Sequence, residues 1–308
     1  MSALSEAAPS IWIGLAGAVG ASLGSFGNVV AHRVPLGLSI VRPGSRCPSC
    51  KAPIPWWGNV PVLGWLFVRG RCQACGVHVS VRYPLVELVA GLLAVALWLQ
   101  LGGAKLDGRA LAQGELARVL VPWLLQTVFV VTLVVLTLID LDWFLLPDVM
   151  TLPLALLGLL AAFASTRGPT PQAAALGALL GGVVPYLGMR LYAAATGRDG
   201  LGGGDWKLLL GVGAWLGARG LPFVVFAGAL QGLLAALIFR RDFARATLPD
   251  LPGDAPGDAP NDAPDAAAAE ASDDLPFRKL AVPFGPFLAL AALEWLFFQK
   301  ELVALWPR

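Results

Sequence analysis

Two sets of side chains in this sequence could do chemistry. The first is a pair of aspartates in apolar surroundings. Asp140 closes the uncharged run Val128–Ile139, and Asp205 follows Gly202, Gly203 and Gly204 and opens another apolar run. Ionisable groups in or beside membrane-like segments are expensive to keep there and commonly functional. Two carboxylates held close cannot both ionise, so they share a proton; the ionised one can activate water while the protonated one polarises a carbonyl. That is peptide hydrolysis without a nucleophilic side chain. The second set is Cys47, Cys50, Cys72 and Cys75, two Cys-x-x-Cys pairs separated by 21 residues. That interval is the pattern of a four-cysteine zinc site, whose closed coordination sphere makes the metal structural rather than catalytic.

Each aspartate has a plainer reading on its own. Asp205 could cap a helix beginning at Trp206, and Asp140 could be an interfacial charge. Elimination favours the pair. Of the 20 acidic residues, eight lie in residues 250–274 and most of the others, including Glu6, Asp107, Glu115, Asp199 and Asp242, fall in loops or near chain ends. The sequence has no HExxH and no GxSxG motif. Its two histidines, His32 and His78, both sit in the cysteine-bearing segment. The glycines before Asp205 allow close backbone approach to a neighbouring helix.

The elements that must position these groups are long and apolar. The chain is 57% hydrophobic and 14% charged, against about 25% charged in a soluble domain. Apolar runs cover about residues 11–31, 84–101, 120–139, 149–164, 173–194, 206–217, 221–239 and 282–298. They are continuous rather than alternating, which predicts an all-α bundle of about eight transmembrane helices and not a barrel. Residues 1–10 hold Glu6 and no Lys or Arg, so the first run reads as a retained helix rather than a cleaved signal. Residues 32–83 carry Arg33, Arg42, Arg46, Lys51, Arg69, Arg71 and Arg82 and no acidic residue. Such a segment stays cytoplasmic. Alternation of eight helices then puts both termini on the opposite side, and Asp140, Asp205 and the basic Arg240, Arg241 and Arg245 on the cytoplasmic face.

The predicted organisation is a first helix over 1–31, a cytoplasmic zinc domain with all four cysteines over 32–83, and a membrane core over 84–249. An acidic linker over 250–280 and a last helix over 281–308 follow. The linker repeats GDAP, GDAP, NDAP and has little to bury, which predicts a disordered spacer. The zinc segment is too short to fold on a core of its own, so the metal would supply much of its folding free energy.

Several stretches carry a resemblance. Gly202-Gly203-Gly204-Asp205-Trp206-Lys207 resembles the GxGDxK motif of the type IV prepilin peptidases. The stretch Asp140 to Asp148, with an aspartate seven residues before the proline of a Pro-Asp pair, is similar to that family's other catalytic motif. Gly24 to Val30 with Arg33-Val34-Pro35, Arg82-Tyr83-Pro84 with Glu87, and Val282-Pro283-Phe284-Gly285-Pro286-Phe287 resemble three further signatures in the family's order. The match spans about residues 20–298; Gly27 and the acidic linker depart from it. By this resemblance the catalytic aspartates are Asp140 and Asp205, while Asp148 starts a helix after Pro147. The resemblance implies a bacterial inner-membrane enzyme acting on prepilin or pseudopilin precursors of type IV pili or type II secretion. It would cut their basic leader after a glycine, at the cytoplasmic face. It also implies N-methylation of the new terminus with S-adenosylmethionine, an activity the family associates with the cysteine segment. Membrane lipid is the other expected partner, and nucleic acid is not expected. The competing readings are a peptidase without methyltransferase activity, a zinc-stabilised assembly factor that binds pilins without cutting, and a transporter. A transporter's inverted repeats around a midplane site are not visible here.

Overall fold

In lipid a backbone must satisfy its own hydrogen bonds, and continuous apolar runs do so as helices. The computed structural model describes residues 2–103, 115–165, 167–197, 202–239 and 282–305. Among these, the α-helices are α1 (Ser2–Arg33), α2 (Leu63–Phe67), α3 (Arg82–Gln100), α4 (Glu115–Trp143) and α5 (Asp148–Ala164). They continue with α6 (Pro171–Thr196), α7 (Asp205–Leu216), α8 (Leu221–Ile238) and α9 (Gly285–Leu305). All but the short α2 fall on the eight apolar runs. The acidic linker, Asp107, Asp199, Asp242 and the arginines at 240, 241 and 245 lie outside the described residues.

Among the described residues, five segments are long and apolar enough to cross a membrane by themselves: Ser10–Arg33, Arg82–Gln100, Leu116–Trp143, Pro171–Thr196 and Leu221–Ile238. Helix α7 has only 12 residues, a rise of about 18 Å against a hydrocarbon core of about 30 Å. It is largely buried, with Leu208, Leu209, Val212, Ala214 and Trp215 all covered. A helix too short to span can still be held if its neighbours surround it.

Glycines set how closely the helices approach. A Cβ on Gly177 of α6 would fall 2.1 Å from the carbonyl oxygen of Gly213 on α7, and one on Gly213 would meet Gly177 at the same distance. The two backbones therefore touch, a contact open only to glycine. Gly20 and Gly24 on α1 do the same against Ala94 and Ala90 of α3. Between lipid-solvated helices this packing, rather than a hydrophobic drive, supports association. Aromatic side chains lock the centre. Phe129 of α4 stacks on Trp215 of α7 with ring centroids 4.8 Å apart, and Trp215 Nε1 donates to the Leu154 carbonyl of α5 at 2.8 Å. The outer faces of α5 and α8 expose Leu156, Leu160, Phe163, Phe226, Leu230 and Leu237, a surface suited to acyl chains rather than water.

Candidate active site and thiol cluster

Asp140 lies in the last turn of α4, where the helix continues to Trp143. It is 5% exposed. Its Oδ2 accepts a hydrogen bond from the Gly285 backbone N–H at 2.9 Å. Gly285 opens α9, so its N–H is one of the donors a helix start leaves unpaired, and a carboxylate satisfies it well. A Cβ on Gly285 would fall 2.7 Å from Asp140 Oδ2. Only glycine lets α9 come this close.

Asp205 is the first residue of α7. The N-cap is Gly204, and no side chain caps that end, so the capping role considered from sequence is not the one Asp205 plays. The Asp205 carboxylate folds back over Gly202, its Oδ2 2.9 Å from where a Gly202 Cβ would stand. The surroundings of Asp140 and Asp205 share a residue. One side chain spans the gap between their helices: Leu146 packs against the positions a Cβ would take on both Gly204 and Gly285. The seven-residue step from Asp140 to Pro147 is thus the length of a turn. Helix α4 ends, Phe144 takes φ 51°, Leu146 tucks inward and Pro147 N-caps α5. A positive φ on a bulky aromatic is strained and is found where surroundings dictate it.

Two ion pairs flank this centre, and neither was foreseen from the sequence. Lys207, two residues after Asp205, pairs with Asp148 at the start of α5 and lies 5.6 Å from the Trp206 ring centroid. Asp142 pairs with Arg82 at 2.8 Å, joining the end of α4 to the start of α3. The residues themselves stand in the motifs, but which of them pair depends on how the helix ends meet. His32 and His78 are exposed.

The four cysteines come together as two near-identical turns. Cys47 N–H donates to Ala52 O at 2.9 Å and Lys51 N–H to Cys47 O at 3.0 Å; Cys72 N–H donates to Val77 O at 2.9 Å and Gly76 N–H to Cys72 O at 2.8 Å. Bridges Arg46–Pro53 and Arg71–His78 close the two loops. Gly76 takes φ 73°, and Lys51 takes the matching φ 60° without being glycine. All four Sγ atoms lie within 4.8 Å of one another, with Cys47–Cys75 and Cys50–Cys72 each at 3.8 Å. A tetrahedral zinc with Zn–S of about 2.3 Å requires sulfur separations of about 3.8 Å, so the donor set fits that ion. Backbone N–H groups of Cys75 and then Ala74 pull the Cys72 thiol down to about 6. At Cys75 the pull of the Val77 N–H is outweighed by the crowding of the neighbouring thiols, which push it up to about 11. One thiolate therefore forms readily in the cluster.

A helical membrane protein with two aspartates at helix ends joined through Leu146, and a separate four-thiol cluster, is the class this geometry defines. A sequence profile for the bacterial peptidase A24 N-terminal domain matches residues 18–101, and one for the type IV leader peptidase family matches residues 127–237. The prepilin leader peptidase/N-methyltransferase of Neisseria gonorrhoeae is 36% identical over 272 residues, covering 78% of this chain and 86% of the relative. The protein of the same name from Klebsiella pneumoniae is 39% identical over 220 residues, 70% of this chain and 89% of its own. That from Myxococcus xanthus is 35% identical over 325 residues, covering 94% and 91%. No solved structure matches. The chain belongs to the type IV leader peptidase family.

Proposed function

We propose that this protein is a bifunctional prepilin leader peptidase and N-methyltransferase of the bacterial inner membrane, with Asp140 and Asp205 as its catalytic pair. What supports the reading is that the surroundings of the two aspartates share one residue: Leu146 packs against Gly204, the neighbour of Asp205, and against Gly285, whose N–H binds Asp140 at 2.9 Å. Charge bias favours the cytoplasmic side for residues 32–83, and with them the aspartates of a multi-pass protein. There a basic leader would meet acidic groups and the anionic leaflet. In the reaction, a water gives a proton to the ionised carboxylate as its oxygen bonds to the scissile carbonyl carbon. The carbonyl oxygen takes the proton of the neutral carboxyl. Collapse of the resulting diol breaks the C–N bond and returns a proton to the leaving amine, leaving one proton on the pair. The two aspartates act as a unit, so neither is assigned a fixed acid or base role.

The freed amine is then the methyl acceptor, with S-adenosylmethionine as donor. We assign Cys47, Cys50, Cys72 and Cys75 to a structural zinc that folds the cytoplasmic segment used in that step. Mass spectrometry of a co-expressed prepilin reports both activities. Asp140→Asn and Asp205→Asn should each leave the precursor uncut, and Asp142→Asn should leave substantial cleavage. An inactive Asp142→Asn with an active Asp140→Asn would overturn the assignment.

A further inference from the structure

The cysteine-bearing segment starts where α1 ends at Arg33 and finishes where α3 begins at Arg82. Both of its ends are therefore fixed to membrane helices. A third attachment lies deeper. The Val62 N–H donates to Glu87 Oε2 at 2.7 Å, and Glu87 is a buried carboxylate five residues along α3. That is about 7.5 Å down the helix axis from Arg82. An element tied there sits at the level of the second turn of a spanning helix, at the depth of the lipid headgroups and the first acyl carbons.

The attachment is built at a conformational cost. Val62 takes φ 62° and ψ −53°, and Leu63 N–H reaches back to Pro61 O at 2.6 Å. This is a γ-turn of the strained kind, rare for any residue and unfavourable for a β-branched one. Such strain persists where the surroundings over-determine it, and the Glu87 bond is one such determinant.

Helix α2 follows that turn and has two unlike faces. Gly64 is buried against the Gly58 carbonyl, and Trp65 Nε1 donates to Val79 O at 3.0 Å. Leu63, Leu66 and Phe67, at i, i+3 and i+4, share the other face and are exposed, Phe67 by 71%. Trp56, in the short 3-10 turn Trp56–Asn59 packed beside α2, is 80% exposed. Large apolar groups do not stand free in water at this density without a partner. Arg69 and Arg71 are exposed immediately after α2, and residues 32–83 contain no acidic group. Trp, Phe and Leu on one side with arginines at the rim match an anionic lipid surface, with attraction of about 1 kcal/mol for each basic residue near it.

We propose that residues 56–67 form an interfacial membrane anchor: Trp56, Leu63, Leu66 and Phe67 insert into the cytoplasmic leaflet, anionic headgroups gather at Arg69 and Arg71, and Glu87 tethers the segment at that depth. The anchor fixes the height of the thiol cluster above the bilayer. The inference rests on the membrane topology of the chain and is independent of which reaction it performs.

The test uses the full chain in proteoliposomes containing anionic phospholipid, with a diazirine-bearing residue placed in turn at Phe67, at Leu92 and at Gln73. Leu92 is exposed on the spanning helix α3, and Gln73 is exposed between Cys72 and Cys75. Irradiation should give phospholipid adducts at positions 67 and 92 and none at 73. Glu87→Ala should lower the lipid adduct at 67 and leave that at 92 unchanged. Lipid adducts at 92 with none at 67 would overturn the anchor while leaving the membrane topology standing. An adduct at 67 to a second copy of the chain or to added prepilin would also overturn it, making the face a protein-docking surface. Equal yield at 67 with and without Glu87→Ala would refute the tether, and failure at both 92 and 67 would bring down the membrane topology beneath both.

Discussion

The aspartate pair and the thiol cluster are built in opposite ways. The thiol cluster is local: each turn closes within seven residues, and its two halves repeat one hydrogen-bond pattern. The aspartate centre draws on four helices and a turn. Asp140 comes from α4, Asp205 from α7, the N–H from α9, the wedge Leu146 from the turn before α5, and the backbone contact that holds α7 comes from α6. A local site with too little core needs a ligand to fold it. A dispersed site is held by the bundle itself and needs none. Damage to the two regions should therefore separate along activity.

The sharpest break comes at the pair. Asp140→Asn or Asp205→Asn replaces a proton-exchanging group by one that cannot exchange, and cleavage should fall by at least roughly 10²–10⁴-fold, measured as residual precursor against time. Gly285→Ala ranks next. Its methyl group would press on Asp140 Oδ2, and displacement of a catalytic group by about 1 Å can cost about 10²-fold. Normal insertion with wild-type cleavage in this variant would show that α9 yields freely at its start.

The double change Cys47→Ser and Cys72→Ser removes one thiolate from each turn. Metal analysis should find about one zinc per wild-type chain and little in the variant. N-methylation should fall much further than cleavage, because the aspartates rest on separate helices. Equal loss of both would mean that the thiol segment also places the precursor for cutting. Lys207→Met should be milder. It breaks a partly exposed ion pair of the kind worth about 0.2–1 kcal/mol, so cleavage should drop no more than about five-fold. Smallest of all should be deletion of residues 253–272, with insertion and cleavage close to wild type. Loss of cleavage in correctly inserted protein would give the acidic repeat a function.

Much of this was legible in one dimension, and the reason differs by region. Apolar runs read as helices because lipid leaves no other choice. The cysteine spacing read as one cluster because both turns are short-range. The aspartates stood out because charge beside such runs is rare. The partners of those residues were harder to see. Asp148 read as a helix start, which it is, but its bond to Lys207 depends on α5 and α7 meeting, and nothing in either motif encodes their approach. Glu87 read only as part of a family signature; that it reaches Val62 follows from how the segment between α1 and α3 folds back.

The sequence by itself determined the helical membrane class and the four-thiol pattern, since each depends on local composition or spacing, and it singled out Asp140 and Asp205 as candidates by their apolar surroundings and by resemblance. The tertiary structure alone decided that α7 is a buried twelve-residue helix held by backbone contact at Gly177 and Gly213. It likewise decided that Asp140 is met by the start of α9 and that α2 hangs at the depth of Glu87. These are distances between segments far apart in the chain. Helix packing sets them through the absence of a side chain at particular glycines, and a glycine's neighbours in space cannot be read from its neighbours in sequence.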